Sequence, residues 1–118
     1  MRIFLDAYPT KAHPMGILSA AVCTLSTFYP ESQKQNRSVE AVDLTIQRLL
    51  AKLPTLAAWA YKNSIGHPVN YPKNKYNYCE NFLQMMFAMP AFEYEPDPVI
   101  VDAFNKLLLL HADHEQNC

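Results

Sequence analysis

The stretch Val39-Glu40-Ala41-Val42-Asp43-Leu44-Thr45-Ile46-Gln47-Arg48-Leu49-Leu50-Ala51-Lys52-Leu53 decides the fold class. Val39, Val42, Ile46, Leu49, Leu50 and Leu53 recur with a period near 3.6, and Glu40, Asp43, Gln47, Arg48 and Lys52 fill the other faces. That spacing predicts an amphipathic helix. Ser38 is placed as its N-cap, because a side-chain oxygen there can accept from a first-turn N–H. Pro54 falls inside the pattern, which resumes over residues 56–61. A proline removes one backbone donor and crowds the preceding turn, so a kink is expected at Pro54 in one element spanning 39–64. Gly66 is expected to close it in the left-handed conformation.

Upstream, residues 1–13 read as an arm with a turn at Pro9-Thr10, and residues 1–5 offer the one hint of strand-like alternation. A second helix is predicted over 14–29, opened by Pro14 at a position that tolerates proline. It carries no charged residue from 15 to 29, and a helix without a polar face is normally buried all round. Residues 31–37 are polar and loop-like. Downstream of Gly66 comes a loop with two prolines and two asparagines, then a helix over 77–89. Asn77 and Glu80 form a capping-box pair at its start, and Phe82, Leu83, Met86 and Phe87 are its expected apolar face. Asp97-Pro98 opens a last helix over 97–111 that ends in Leu107-Leu108-Leu109-Leu110, of which Leu107 and Leu110 are expected to be buried. The fold class is therefore all-α, with four or so packed helices in a single segment spanning 1–118.

Bulk properties agree and narrow the function classes. The chain has 118 residues, half of them hydrophobic, and a formal net charge of −1, so nothing favours nucleic acid or a charged membrane surface as partner. Two glycines against nine prolines favour helices broken by rigid corners over tight hairpins. Cys23, Cys79 and Cys118 are odd in number and far apart, which reads as reduced thiols in a cytoplasmic protein. No apolar run reaches the roughly 20 residues a membrane-spanning helix needs.

The chemistry-bearing stretch is the last one, His111-Ala112-Asp113-His114-Glu115-Gln116-Asn117. A cluster of ionisable and hydrogen-bonding side chains directly after an apolar helix is either the floor of an active site or a helix that simply leaves its core. Two histidines at i and i+3 also suggest zinc. The order H-A-D-H-E differs, however, from the helical zinc patterns H-E-x-x-H and H-x-x-E-H, so no metal site is expected.

This heptad closely resembles the His-Ser/Ala-Asp-His-Glu-x-Asn signature of citrate synthases. Further stretches resemble the same family in the same order: His13-Pro14-Met15, Lys52-Leu53-Pro54-Thr55-Leu56-Ala57-Ala58, Tyr61-Lys62-Asn63-Ser64-Ile65-Gly66, Tyr71-Pro72-Lys73-Asn74, Glu80-Asn81-Phe82-Leu83 and Met85-Met86-Phe87. The resemblance implies a piece of the large helical domain of an enzyme that condenses acetyl-CoA with oxaloacetate to citrate and CoA. It implies no tightly bound cofactor, with acetyl-CoA entering as substrate. It places His114 in the oxaloacetate cage, with His111, Asp113, Glu115 and Asn117 orienting it. No catalytic residue proper falls in this stretch: the family's Pro-x-His-Gly-Gly, Gly-His-Arg and Val-Asp-x-x-Ser-Gly motifs do not occur in the chain. The isolated chain is therefore expected to be inactive; the alternative function is a non-catalytic helical assembly or dimerisation module.

The resemblance also implies a regulatory site. Some bacterial members answer to NADH through positions matched here by Arg48, Lys52 and Asn74, together with a cysteine after a proline where this chain has Pro90-Ala91. Arg48 and Lys52 have the simpler reading of a solvated helix face. The apolar helices resemble those that pack against a twofold mate in the family, so a homodimer or higher homo-oligomer is expected, with oxaloacetate as small-molecule partner and neither nucleic acid nor membrane.

Overall fold

The structure, a computed structural model, describes residues 1–112. Its helices are α1 (Arg2–Asp6), α2 (Pro14–Phe28), a 3-10 turn (Pro30–Gln33), α3 (Val39–Ser64), α4 (Tyr78–Phe87) and α5 (Pro98–Ala112). The fold is all-α. The chain divides into two compact units, Met1–Val69 and the part from Asn70 onward.

The first unit is organised by the pairing of α2 with α3. His13 caps α2, its Nδ1 accepting from the Met15 amide at 3.2 Å, and Pro14 follows at the first helical position. The hydroxyls of α2 fold back on its own turns: Thr24 donates to the Ala20 carbonyl at 2.8 Å, Ser26 to Cys23 and Thr27 to Thr24, each at 2.7 Å. That gives each of these hydroxyl protons a partner within the helix. Ile17 and Ala21, one turn apart, are the buried residues of α2 and join Leu5, Leu56, Trp59 and Ala60 in a core. Phe4, Tyr8, Leu18, Val22, Leu25 and Val69 pack around it.

Helix α3 opens on Ser38, whose Oγ accepts from the Ala41 amide at 3.3 Å, and runs unbroken through Pro54. It closes in a Schellman arrangement: Gly66 has φ +67°, the His67 amide donates to the Lys62 carbonyl at 2.9 Å, and the Gly66 amide to Asn63 at 3.1 Å. Its buried residues, Leu56, Ala58, Trp59, Ala60 and Lys62, all lie beyond Pro54.

Two expectations are corrected here. Residues 2–6 are helical, not an extended arm, because Leu5 is drawn into the core and a single turn brings Met1 and Phe4 to the same cluster. Helix α2 is not buried all round: Met15 is 59 % and Phe28 60 % exposed. Within this unit only the stripe through Ile17 and Ala21 is covered, since one helix face is all that α1 and α3 need to shield.

The second unit is stitched by polar side chains. Asn77 and Glu80 close a capping box at the start of α4, with the Glu80 amide on Asn77 Oδ1 at 3.0 Å and the Asn77 amide on Glu80 Oε2 at 2.7 Å. Asn81 pins the preceding loop, accepting from the Lys73 amide at 2.7 Å and donating to the carbonyls of Lys73 and Tyr76 at 3.0 and 2.8 Å. Asn70 donates to the Met85 and Ala88 carbonyls at 3.2 and 2.8 Å, holding the loop against the far end of the same helix.

The buried residues of α4 are Cys79, Leu83, Gln84 and Met85, so its covered face is turned from the expected Phe82–Leu83–Met86–Phe87 stripe. Phe87 is 46 % exposed, and Phe82 instead stacks on Phe104 of α5, ring centres 5.0 Å apart. Asp97 Oδ1 caps α5 by accepting from the Val99 amide at 2.8 Å. Helix α5 has no buried residue, and Leu107 and Leu110, expected to be buried, are 51 % and 68 % exposed. Their apolar side chains face outward because α4 covers only the flank carrying Phe104.

Candidate functional site

The heptad begins on the final turn of α5. His111 is exposed, and its Nδ1 lies 2.7 Å from the Leu107 carbonyl oxygen one turn back. A carbonyl can only accept, so in this contact Nδ1 carries a proton and donates it to the Leu107 oxygen. Asp113, His114, Glu115 and Asn117 lie outside the described residues. Among the described residues, no group of three His, Cys, Asp or Glu side chains is arranged to hold a metal ion. No helix there is long and apolar enough to cross a membrane.

The clearest binding geometry among the described residues lies in the first unit. Val22, Leu25 and Leu49 give apolar walls to a cavity of about 230 Å³, and Tyr29, Arg37 and Arg48 bring a ring and two cations to it. The Arg48 side chain is 31 % exposed. Its guanidinium carbon stands 4.3 Å from the centre of the Tyr29 ring, and the same group is ion-paired with Glu31 on the 3-10 turn. Lying over a ring while pairing with a carboxylate is a combination to which arginine is suited. Backbone hydrogen bonding, and then Arg48, hold the Glu31 carboxyl below its ordinary range. Glu31, Tyr29 and Arg37 were not singled out from the sequence. Glu31 lies 17 residues from Arg48 in a polar stretch that reads as loop, and no short-range pattern links the two.

Lys52 is exposed on α3, and Asn74 is exposed on the loop that Asn81 pins in the second unit. A second, more open cleft in that unit is lined by Glu80, Asp102 and Asn105 around Cys79. Burial, with the nearby Glu80 charge, pushes the Cys79 thiol up, so it stays protonated and is a poor nucleophile.

Comparison with known proteins covers the chain end to end. Residues 1–118 match the family described as "Citrate synthase, C-terminal domain". Citrate synthase 1 of Mycobacterium tuberculosis, in strains CDC 1551 / Oshkosh and ATCC 25618 / H37Rv, is 48 % identical over all 118 residues, which make up 27 % of its own length. The crystal structure of citrate synthase from Pyrobaculum aerophilum superposes with a TM-score of 0.79 at 33 % identity, over 97 % of this chain and 29 % of that one. The chain thus spans about a quarter of the length of the relatives it matches. A family match spanning the whole chain, together with a similar helical path, establishes that the chain belongs to the citrate synthase family.

Proposed function

We propose that the protein carrying this chain condenses acetyl-CoA with oxaloacetate to give citrate and CoA, and that this segment of the large helical domain supplies part of the oxaloacetate cage. The observation that carries the reading is the heptad 111–117 in the sequence of a chain that matches the family along its whole length. In this reading His114 donates to the substrate's carboxylate or carbonyl oxygen. His111, Asp113, Glu115 and Asn117 orient it, as groups behind a binding residue commonly do. The condensation needs a base for the methyl proton and an electrophile for the thioester in one dry site. Neither is assigned to a residue of this chain, and no tightly bound cofactor is needed.

The test is a thiol-release assay on the complete protein. His114→Ala is expected to raise the oxaloacetate KM far more than it lowers the melting temperature. Unchanged oxaloacetate affinity would remove His114 from the cage, and absence of turnover in the parent would remove the activity. The 118-residue chain by itself is expected to release no thiol above a His114→Ala control.

Three companion readings go with this one: a cytoplasmic setting, a homodimer or higher homo-oligomer, and a ligand-responsive site at Arg48. Oligomerisation is supported by the apolar side chains left open on α2, α3 and α5, among them Phe28, Leu50 and Leu109 at 60, 57 and 72 % exposure. Light scattering at micromolar concentration checks it, a folded monomer being the adverse result. The regulatory reading is supported by the cavity that Arg48 and Arg37 line.

A further inference from the structure

Helix α5 is held along its first half. Val101 and Phe104 are its half-buried residues, and every other residue from Pro98 to Ala112 is exposed. Phe104 stacks on Phe82 of α4, with the ring planes 14° from parallel and the centres 5.0 Å apart. The next residue, Asn105, takes the Cys79 thiol of α4 on its Oδ1 at 3.8 Å. A stacked pair fixes the separation and the relative tilt of two rings, whereas apolar burial is non-directional. Phe104, Leu107 and His111 stand at i, i+3 and i+7 and so share one side of the helix. His111 is tied to that side by its Nδ1 contact with the Leu107 carbonyl at 2.7 Å, so its ring follows the helix axis. Seven residues at about 1.5 Å each make a lever of about 10 Å. A tilt of about 6° at the stack then moves His111 by about 1 Å, a displacement that costs about a hundredfold in rate when it reaches a group that must be aligned with a substrate.

We propose that Phe82 and Phe104 are positioning residues for oxaloacetate binding: their stack sets the direction of α5 and thereby the place of His111, which orients His114. The inference rests on the function proposed above, in which the heptad serves the oxaloacetate cage. The two rings touch no substrate and act only through the helix they align.

The experiment is steady-state kinetics of the complete protein, with oxaloacetate and acetyl-CoA varied in turn. Phe104→Leu stays apolar but loses the ring. It is expected to raise the oxaloacetate KM about three- to tenfold, the range that one stacked pair allows, and to change the acetyl-CoA KM by less than about twofold. Phe82→Leu is expected to do the same from α4, and either variant serves if the other does not fold. The double variant is expected to go no further than the singles, because a single contact is lost in all three. Phe104→Tyr keeps the ring and is expected to keep the parent KM. Rings that serve packing alone would lower the melting temperature and leave the oxaloacetate KM where it was. That result, additive effects in the double variant, or an equal rise in the acetyl-CoA KM would each overturn the proposal. His114→Ala separates the two readings. If it raises the oxaloacetate KM while the leucine variants do not, the positioning role alone falls. If the parent has no turnover, or His114→Ala leaves that KM unchanged, both fall.

Discussion

The two units reach order by different means. In Met1–Val69 the apolar residues of three helices converge, and Leu5, Ile17, Ala21, Leu56, Trp59 and Ala60 are each at most 8 % exposed. In the unit from Asn70 onward, α5 buries nothing, and the definition comes from asparagines: Asn70, Asn77 and Asn81 tie a proline-containing loop to both ends of α4. Burial is non-directional and scales with area, about 25 cal/mol per Å², whereas a hydrogen bond contributes about 1 kcal/mol net but fixes a geometry. The first unit therefore gathers a core from three helices, while the second combines the buried Cys79, Leu83 and Met85 of α4 with a loop shaped by hydrogen bonds.

This contrast can be broken by truncation. Trp59→Ala is expected to cost about 3–5 kcal/mol, from lost burial and the cavity left behind. Leu109→Ala, at 72 % exposure, is expected to change stability by less than about 0.5 kcal/mol. Guanidinium denaturation of the 118-residue chain compares them, and similar losses would erase the distinction between the units. Asn81→Ala removes three hydrogen bonds from the loop and is expected to cost about 1–2 kcal/mol. Amide exchange should accelerate at Lys73; protection unchanged there would mean that the loop holds itself. Gly66→Ala meets open space, so its cost is purely the left-handed backbone, about 1 kcal/mol. A neutral outcome would show the Schellman turn relaxing.

The smallest effect sharpens the picture of the first unit's interior. Lys62 is 1 % exposed, and burial pushes its ammonium below the ordinary 10.5. Between the folded value and 10.5 the unfolded chain holds more protons, so this group makes stability rise with pH across that window. Lys62→Met is expected to remove that part of the slope. Burial raises the Tyr78 and Tyr94 hydroxyls and gives an opposite slope in both proteins, so the difference between parent and variant isolates Lys62. Identical pH profiles would show that Lys62 is hydrated in the folded chain.

Much of the candidate site was legible as a word and not as a place. The heptad 111–117 announces its chemistry through residue types alone, yet nothing local says that Leu107 and Leu110, which precede it in the sequence, stay open. Arg48 was legible as a cation on a helix. Its engagement with Glu31 and Tyr29 was not, because a pair separated by 17 residues leaves no periodic trace.

The sequence by itself determined the helices and their ends. Ser38, Asn77 with Glu80, Asp97 ahead of Pro98 and Gly66 each act within five residues, through hydrogen bonds to their own turn or a backbone angle that glycine adopts freely. Tertiary structure alone decided which faces are covered. It drew residues 2–6 into a helical turn around Leu5, rotated the buried face of α4 to Leu83, Gln84 and Met85, and enclosed Lys62 on α3 while leaving Leu50 outside. An apolar stripe records only that something could cover it. Whether anything does depends on contacts between residues distant in the chain, and the order of residues along one helix does not carry that information.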